Sequence, residues 1–332
     1  MCELHFDERG HLTDGSALPM LAGASDVLVL SHGWNNSADE ARELYHGLER
    51  ELGRFGTPPP VIGVFWPSKK FDSVLGAEFD AALDSPMARQ VLVGAMRAAV
   101  PQEPAPSVFH MLPVEILLRR LAGSQPLREG LLNLSNLTTF YQMKERAGII
   151  GRTGLAPVLD EISHRYPKVR IHLAGHSFGA RLVTAAADAV DNPVQSLALL
   201  QGAFSHHGFA KSINGVAGAF RNVIARCKVQ GPLVVTHTRN DQAVGLAYAL
   251  ASRVAGQEAA FLGDSNDRFG GIGSNGAVRT SEAIQRSLLP ARAEYNFQSG
   301  KIHNFKADAF IRSHSDIVNP EVAWMIQSVL SA

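Results

Sequence analysis

Short apolar runs alternate along this chain with segments in which apolar residues recur at helical spacing. The runs are typical of strands buried on both faces of a sheet, and they lie at Val27–Leu30, Val61–Trp66, Val169–Ala174, Ser196–Gly202, Leu233–Thr238 and within Lys301–Ile311. Helices are predicted at Ala38–Leu52, Ala156–Arg165, Ala180–Val190, Ala243–Arg253 and Pro320–Leu330. This alternation predicts an α/β protein with a mostly parallel central sheet and helices on both faces.

The alternation stops between residues 68 and 152, where the apolar spacing is helical and Pro and Gly interrupt it repeatedly. We therefore expect a single domain over residues 1–332 with a helical insertion at 68–152. The insertion is either ordinary packed core or a cap or lid over a pocket. Its apolar character favours a hydrophobic substrate.

Charge and composition exclude several classes of protein. The chain has 332 residues with 31 basic and 31 acidic side chains, a balance that does not fit a general nucleic-acid binder. The N-terminus lacks a signal-peptide core, and no apolar run is long enough to span a membrane. With only Cys2 and Cys227, a disulfide framework is not expected. We expect a cytoplasmic protein, and the sequence leaves a homo-oligomer open.

The most specific motif is the segment Gly175–Gly179, which reads Gly-His-Ser-Phe-Gly between a predicted strand and a predicted helix. A turn this sharp strains the backbone of its central residue, and glycines on either side avoid clashes. It would raise Ser177 above the carboxyl edge of the sheet, where open α/β folds bind ligands. The alternative is a tight strand–helix turn in a nucleotide-binding protein.

A second motif, His32-Gly33-Trp34, follows the first predicted strand. An oxyanion is stabilised by two preorganised backbone N–H groups, one after the nucleophile and one after an earlier strand. Phe178 and Trp34 are the predicted donors. We expect His32 to orient its loop through a hydrogen bond rather than to act in catalysis.

Together, the His-Gly turn and the serine turn resemble the α/β-hydrolase superfamily, which includes esterases, lipases, thioesterases and some peptidases. The resemblance extends from about residue 26 to the C-terminus. It implies an α/β-hydrolase fold, a nucleophile elbow at Ser177, an oxyanion hole, and a catalytic triad in the chain order nucleophile, acid, histidine. It implies no cofactor, and we predict no metal site.

For the acid, Asp241 follows the predicted strand Leu233–Thr238 in a short loop, whereas the rivals Asp264 and Asp267 lie farther on. The alternative for Asp241 is a surface residue that caps the following helix. For the base, His314 lies between the last strand and the last helix, and catalytic residues favour such loops. His303 lies inside the predicted strand and remains the alternative.

The sequence therefore predicts a serine esterase or lipase-like enzyme. Ser177 would act as nucleophile, His314 as base and Asp241 as orienting acid, on a small-molecule acyl ester contacted by His176 and His206. A peptidase, a thioesterase or a non-catalytic binding protein remain alternatives. The glycine-rich segment 270–276 lacks the features of a phosphate-binding loop and is predicted to be a mobile loop.

Overall fold

Nine strands form one sheet in the computed structural model, which describes residues 1–15, 21–68, 143–241 and 270–332. All of these residues belong to one compact unit. The strands, in chain order, are β1 Cys2–Phe6, β2 Leu12–Asp14, β3 Asp26–Ser31, β4 Val61–Phe65, β5 Arg170–His176, β6 Ser196–Leu200, β7 Leu233–His237, β8 Ala283–Ser287 and β9 Ile302–Lys306.

The strand order across the sheet is β2-β1-β4-β3-β5-β6-β7-β9-β8. Strand β2 pairs with β1 in the antiparallel sense, and every other neighbouring pair is parallel. The predicted α/β class with a mostly parallel sheet is therefore confirmed. Because β3, β5, β6, β7 and β9 run side by side in one direction, the loops that leave their carboxyl ends meet at one edge.

The described helices are α1 Ala38–Gly53, α2 Ala156–Arg165, α3 Phe178–Ala189, α4 Arg221–Ala225, α5 Ile272–Asn275 and α6 Pro320–Leu330. Residues 143–149 are also helical and continue into a π-helical turn, Ile150–Leu155, directly before α2. Ser37 caps α1 in a capping box with Glu40, and Asn319 caps α6. These caps satisfy N–H groups that a helix start leaves without partners, which explains where both helices begin.

The core on one side of the sheet combines α1 and α6 with alternate strand residues, including Leu28 and Leu30 of β3. Side chains of a strand alternate between its two faces, so Val27 and Val29 lie on the other face, and both are fully buried. Helix α3 contacts β3, β5 and β6. The central strands are thus covered on both faces, as their unbroken apolar runs require.

Three strands were not predicted from the sequence: β1, β2 and β8. Strand β2 is exposed and β1 and β8 are only partly buried, because β2 and β8 form the two edges of the sheet and β1 lies next to β2. The prediction of a loop at 270–276 is wrong for Ile272–Asn275, which form α5 with Ile272 fully buried. The predicted helix Ala243–Arg253 and nearly all of the insertion at 68–152 lie outside the described residues. No helix in the described part of the chain has the length and apolar character needed to cross a membrane.

Candidate active site

Five loops leave the carboxyl edge of the sheet next to one another. Register pairs Ser31 with Gly175 across β3 and β5, and His176 with Leu200 across β5 and β6. On the other side, His237 of β7 pairs with Lys306 of β9. The residues that follow these strand ends include Gly33, Ser177, Gln201, Asp241 and His314, and the site is built from them.

Ser177 occupies the strained turn that the motif predicts. Its φ of 56° and ψ of −121° lie outside the regions that L-residues ordinarily adopt. A Cβ at Gly175 would clash with the carbonyl of Gly179, and a Cβ at Gly179 would clash with the carbonyl of Ser31. Both glycines are therefore required by close backbone approach, and the turn that they permit carries Ser177 directly into the first turn of α3.

Ser177, His314 and Asp241 form a continuous chain of hydrogen bonds. His314 Nδ1 lies 2.8 Å from Asp241 Oδ2, and His314 Nε2 lies 2.8 Å from Ser177 Oγ. A carboxylate can only accept, so Nδ1–H donates to Asp241, and Nε2 accepts the hydroxyl proton of Ser177. The Asp241 side chain is fully buried, Ser177 is 6% exposed, and the His314 side chain is 20% exposed.

The loop after β9 holds His314 in this position. Asn319 Nδ2 donates to the carbonyls of Phe310 and Asp316, which closes the loop at its base. His303, the alternative base, lies within β9; it is buried, and its Nε2 accepts from the backbone N–H of Gln298 at 3.1 Å. The structure therefore brings His314, and not His303, to Ser177.

The loop that carries Asp241 is tied to the loop after β9. Asp308 Oδ1 accepts from Thr238 Oγ1 at 2.8 Å and from the backbone N–H of Arg239 at 3.1 Å. Asn240 Nδ2 donates to the carbonyls of Asp308 and Ile311. The acid and the histidine thus sit on two loops joined by several short bonds. The rival acids Asp264 and Asp267 lie outside the described residues.

Gln201, at the end of β6, is a site residue that the sequence analysis missed. Its side chain is fully buried, and Nε2 donates to Asp241 Oδ2 at 3.2 Å and to the Gly273 carbonyl at 3.2 Å. Its backbone φ is 46°, an uncommon value for a residue with a side chain. The one sequence signal was a polar residue at the end of an otherwise apolar strand.

His176 contacts the loop of His314 rather than open space. Its Nε2–H donates to the His314 carbonyl at 2.8 Å, and the two rings lie 4.8 Å apart. Burial lowers the pKa of His176 to about 3, and the nearby His314 ring acts in the same direction. This neutral histidine therefore supports the position of His314, and its predicted contact with substrate stays a prediction.

The loop after β3 closes over Ser177. A Cβ at Gly33 would lie 2.7 Å from Ser177 Cβ and 3.3 Å from Ser177 Oγ, so only glycine leaves this space open. His32 is buried, and its Nδ1–H donates to the Gly33 carbonyl at 2.9 Å while Trp66 N–H points to its Nε2 at 3.4 Å. Burial lowers the pKa of His32 to about 4, which fits this neutral tautomer and the predicted orienting role.

The side chains of the two residues predicted to donate to an oxyanion are neighbours. Trp34 directly follows Gly33, and Phe178 directly follows Ser177 as the first residue of α3. Their ring centroids are 6.2 Å apart. The N-terminus of a helix carries a positive partial charge, which favours an anion beside Ser177. The binding of an oxyanion by these two N–H groups stays a prediction.

His206 does not expose its ring to solvent. The residue is fully buried, its backbone N–H donates to Gly270 at 2.9 Å, and its Nδ1 lies 3.2 Å from Asn275 Nδ2. The His207 ring is 4.0 Å away. His206, in the loop after β6, thus packs against the segment that begins at Gly270. Its predicted contact with substrate stays a prediction.

Within the described ranges, no group of three or more His, Cys, Asp or Glu side chains is arranged to hold a metal ion. Comparison of the chain with models of protein families, with curated proteins and with solved structures gave no match. The functional argument therefore rests on the geometry of the site and on the sequence motifs.

Proposed function

We propose that this protein is a serine hydrolase of the α/β-hydrolase fold that cleaves a carboxylic ester or a related acyl bond. The observation that carries the proposal is the hydrogen-bonded chain from Ser177 through His314 to Asp241. Its support is the strained turn at Ser177 and the chain order serine, aspartate, histidine, which matches what the superfamily resemblance implies.

The proposed reaction proceeds through an acyl-enzyme. Ser177 Oγ attacks the carbonyl carbon of the substrate while His314 Nε2 takes the hydroxyl proton. The carbonyl oxygen becomes an oxyanion, which the backbone N–H groups of Phe178 and Trp34 would stabilise. When the tetrahedral intermediate collapses, the C–O bond to the leaving group breaks and His314 protonates that group. Water then attacks the acyl-enzyme, with His314 again as base, and frees the acid and Ser177.

Asp241 has an electrostatic and a geometric part in this scheme. Its buried carboxylate accepts from Nδ1–H and so keeps the neutral imidazole in the tautomer that leaves Nε2 free to take a proton. The same carboxylate stabilises the imidazolium that forms during attack. Because the carboxylate is shielded from water, its field at His314 is stronger than that of an exposed pair.

The experiment is a chain-length series of p-nitrophenyl esters, assayed with the wild type and with Ser177→Ala and His314→Ala. We expect both variants to lose roughly 1,000-fold or more in kcat/KM, as is usual when a triad member is removed. His303→Ala is the matched control, since it removes a histidine of the same region that does not contact Ser177.

Loss of activity in His303→Ala with retention in His314→Ala would contradict the assignment of the base. Folded wild-type protein that turns over no ester, thioester or amide would contradict the proposed function and favour a non-catalytic binding protein.

A further inference from the structure

We infer that Gln201 is a positioning residue that holds the carboxylate of Asp241 toward His314 and limits how strongly that carboxylate attracts the imidazolium. The inference rests on the proposed function, because it assigns Gln201 a part in the same reaction. Gln201 touches neither Ser177 nor His314 through a described hydrogen bond; it acts through Asp241 alone.

The first argument is the shared oxygen. Asp241 Oδ2 accepts from His314 Nδ1 at 2.8 Å and also from Gln201 Nε2 at 3.2 Å. A donor on a carboxylate oxygen withdraws electron density from it, and this weakens the pull of that oxygen on a second donor. The charge that the imidazole feels is therefore set partly by the Gln201 amide.

The second argument is that both protons of the Gln201 side-chain NH2 group have acceptors. The second proton of Nε2 goes to the Gly273 carbonyl, and the same carbonyl accepts from the backbone N–H of Thr238 at 2.9 Å. These two acceptors direct the two Nε2–H groups, one toward Asp241 and one toward Gly273.

The third argument is the backbone conformation. Gln201 adopts the left-handed region at φ 46°, and a Cβ at Gly273 would lie only 2.6 Å from the Gln201 carbonyl carbon. Such strain is retained where the surroundings enforce it, and it clusters at functional sites. Here it turns the side chain of a strand-end residue sideways, toward the acid that follows the neighbouring strand β7.

The chemistry of an amide suits this position better than that of a cation. An arginine or lysine would hold the carboxylate equally well, but its positive charge would cancel the negative charge that stabilises the imidazolium. A neutral donor fixes the orientation of the carboxylate and leaves its charge in place. We therefore expect Gln201 to tune the pH dependence of the reaction as well as its rate.

The test is the pH profile of kcat/KM for Gln201→Leu, which places a shorter apolar side chain in this buried site and removes the donor. Without that donor, Asp241 attracts the imidazolium more strongly, so the acid limb should move up by about half a pH unit. The plateau should fall about tenfold, because a carboxylate held by one donor fewer orients His314 less well.

Thr236→Val is the control for a merely structural role. It removes the acceptor of the Gln201 backbone N–H and leaves both side-chain bonds of Gln201 in place. It should lower the stability of the fold without moving the acid limb. A Gln201→Leu profile that superimposes on the wild-type profile after scaling would overturn the inference.

A measurement on the wild type covers the case in which Gln201→Leu does not fold. In two-dimensional 1H–15N spectra, the side-chain amide signals of Gln201 should shift with the same pH midpoint as the Nδ1 proton of His314. Amide signals that do not respond while the His314 signal titrates would overturn the inference. Because this readout needs no turnover, it separates a failure here from a failure of the proposed function.

Discussion

Replacing Gly33 with alanine should damage the site without unfolding the protein. The new Cβ would lie 2.7 Å from Ser177 Cβ, whereas carbon atoms in contact are normally at least about 3.5 Å apart. One of the two groups must move by about 0.8 Å. Ser177 Cβ is bonded to a strained backbone held by a hydrogen bond from its N–H to the Leu200 carbonyl, so it cannot rotate away.

The expected loss follows from that displacement. A misplacement of about 1 Å at reacting groups costs about 100-fold in rate, which corresponds to about 2.7 kcal/mol in the activation free energy. The same Cβ would lie 3.2 Å from His176 Nδ1, so the support of the His314 loop is disturbed as well. We therefore expect Gly33→Ala to lower kcat/KM for a short ester about 100-fold.

The assay is ester hydrolysis together with thermal unfolding. Gly53→Ala is the control, because Gly53 ends α1 and nothing lies within 4 Å of a Cβ built there. This control should keep full activity and gain about 0.5 kcal/mol in stability, since alanine loses less entropy in a helix than glycine does. A folded Gly33→Ala protein with wild-type kcat/KM would refute the reasoning about the space above Ser177.

Two further predictions concern the pH dependence of stability and the loop after β7 that carries Asp241. The pKa of His176 lies at about 3 and that of His32 at about 4, below the ordinary 6.5, so the unfolded chain binds more protons than the folded one below pH 6.5. The free energy of unfolding, measured with urea, should then be highest above pH 6.5 and fall on acidification. In His176→Asn, the slope of that free energy between pH 5.5 and 4.5 should be smaller by about 1.4 kcal/mol per pH unit. An unchanged slope would contradict a buried neutral His176 ring. Asp308→Ala removes the acceptor of Thr238 Oγ1 and of the Arg239 N–H, so it should lower stability by about 2 kcal/mol and kcat/KM about tenfold. Asp39→Ala removes a surface ion pair with Arg42 and an acidic side chain in the first turn of α1, so it should lower stability by less than about 1 kcal/mol and leave kcat/KM unchanged. Equal effects of the two variants would contradict a special role for the loop that carries Asp241.

The sequence was most informative where burial is complete on both faces. Strands β3, β4, β5, β6, β7 and β9 are buried along most of their length, and each was predicted, the first five from apolar runs and β9 only as a strand within Lys301–Ile311. Strand β8, with the sequence Ala-Ile-Gln-Arg-Ser, is an edge strand with exposed residues, so no such run marks it. The segment Cys2–Phe6, in which polar and apolar residues are mixed, pairs with β4 through its backbone, which side-chain patterns do not reveal.

The same contrast holds at the candidate site. Ser177 was predicted because its turn demands glycines at fixed positions, and the loop position of His314 distinguished it from His303. The proposed role of Gln201 depends on its left-handed backbone at a strand end and on the Asp241 carboxylate, 40 residues later in the chain. Asp308 acts across two loops in the same way. Such contacts follow from the folded arrangement, so local sequence patterns do not predict them.

The most direct test of the proposed hydrolase is covalent labelling of the folded protein with a fluorophosphonate, followed by intact mass measurement and peptide mapping. The hydrogen-bonded chain of Ser177, His314 and Asp241 predicts a phosphonyl group on Ser177, no label in Ser177→Ala, and much slower labelling in His314→Ala. Folded wild-type protein that gains no label, or a label that persists in Ser177→Ala, would contradict the proposal that Ser177 is an activated nucleophile.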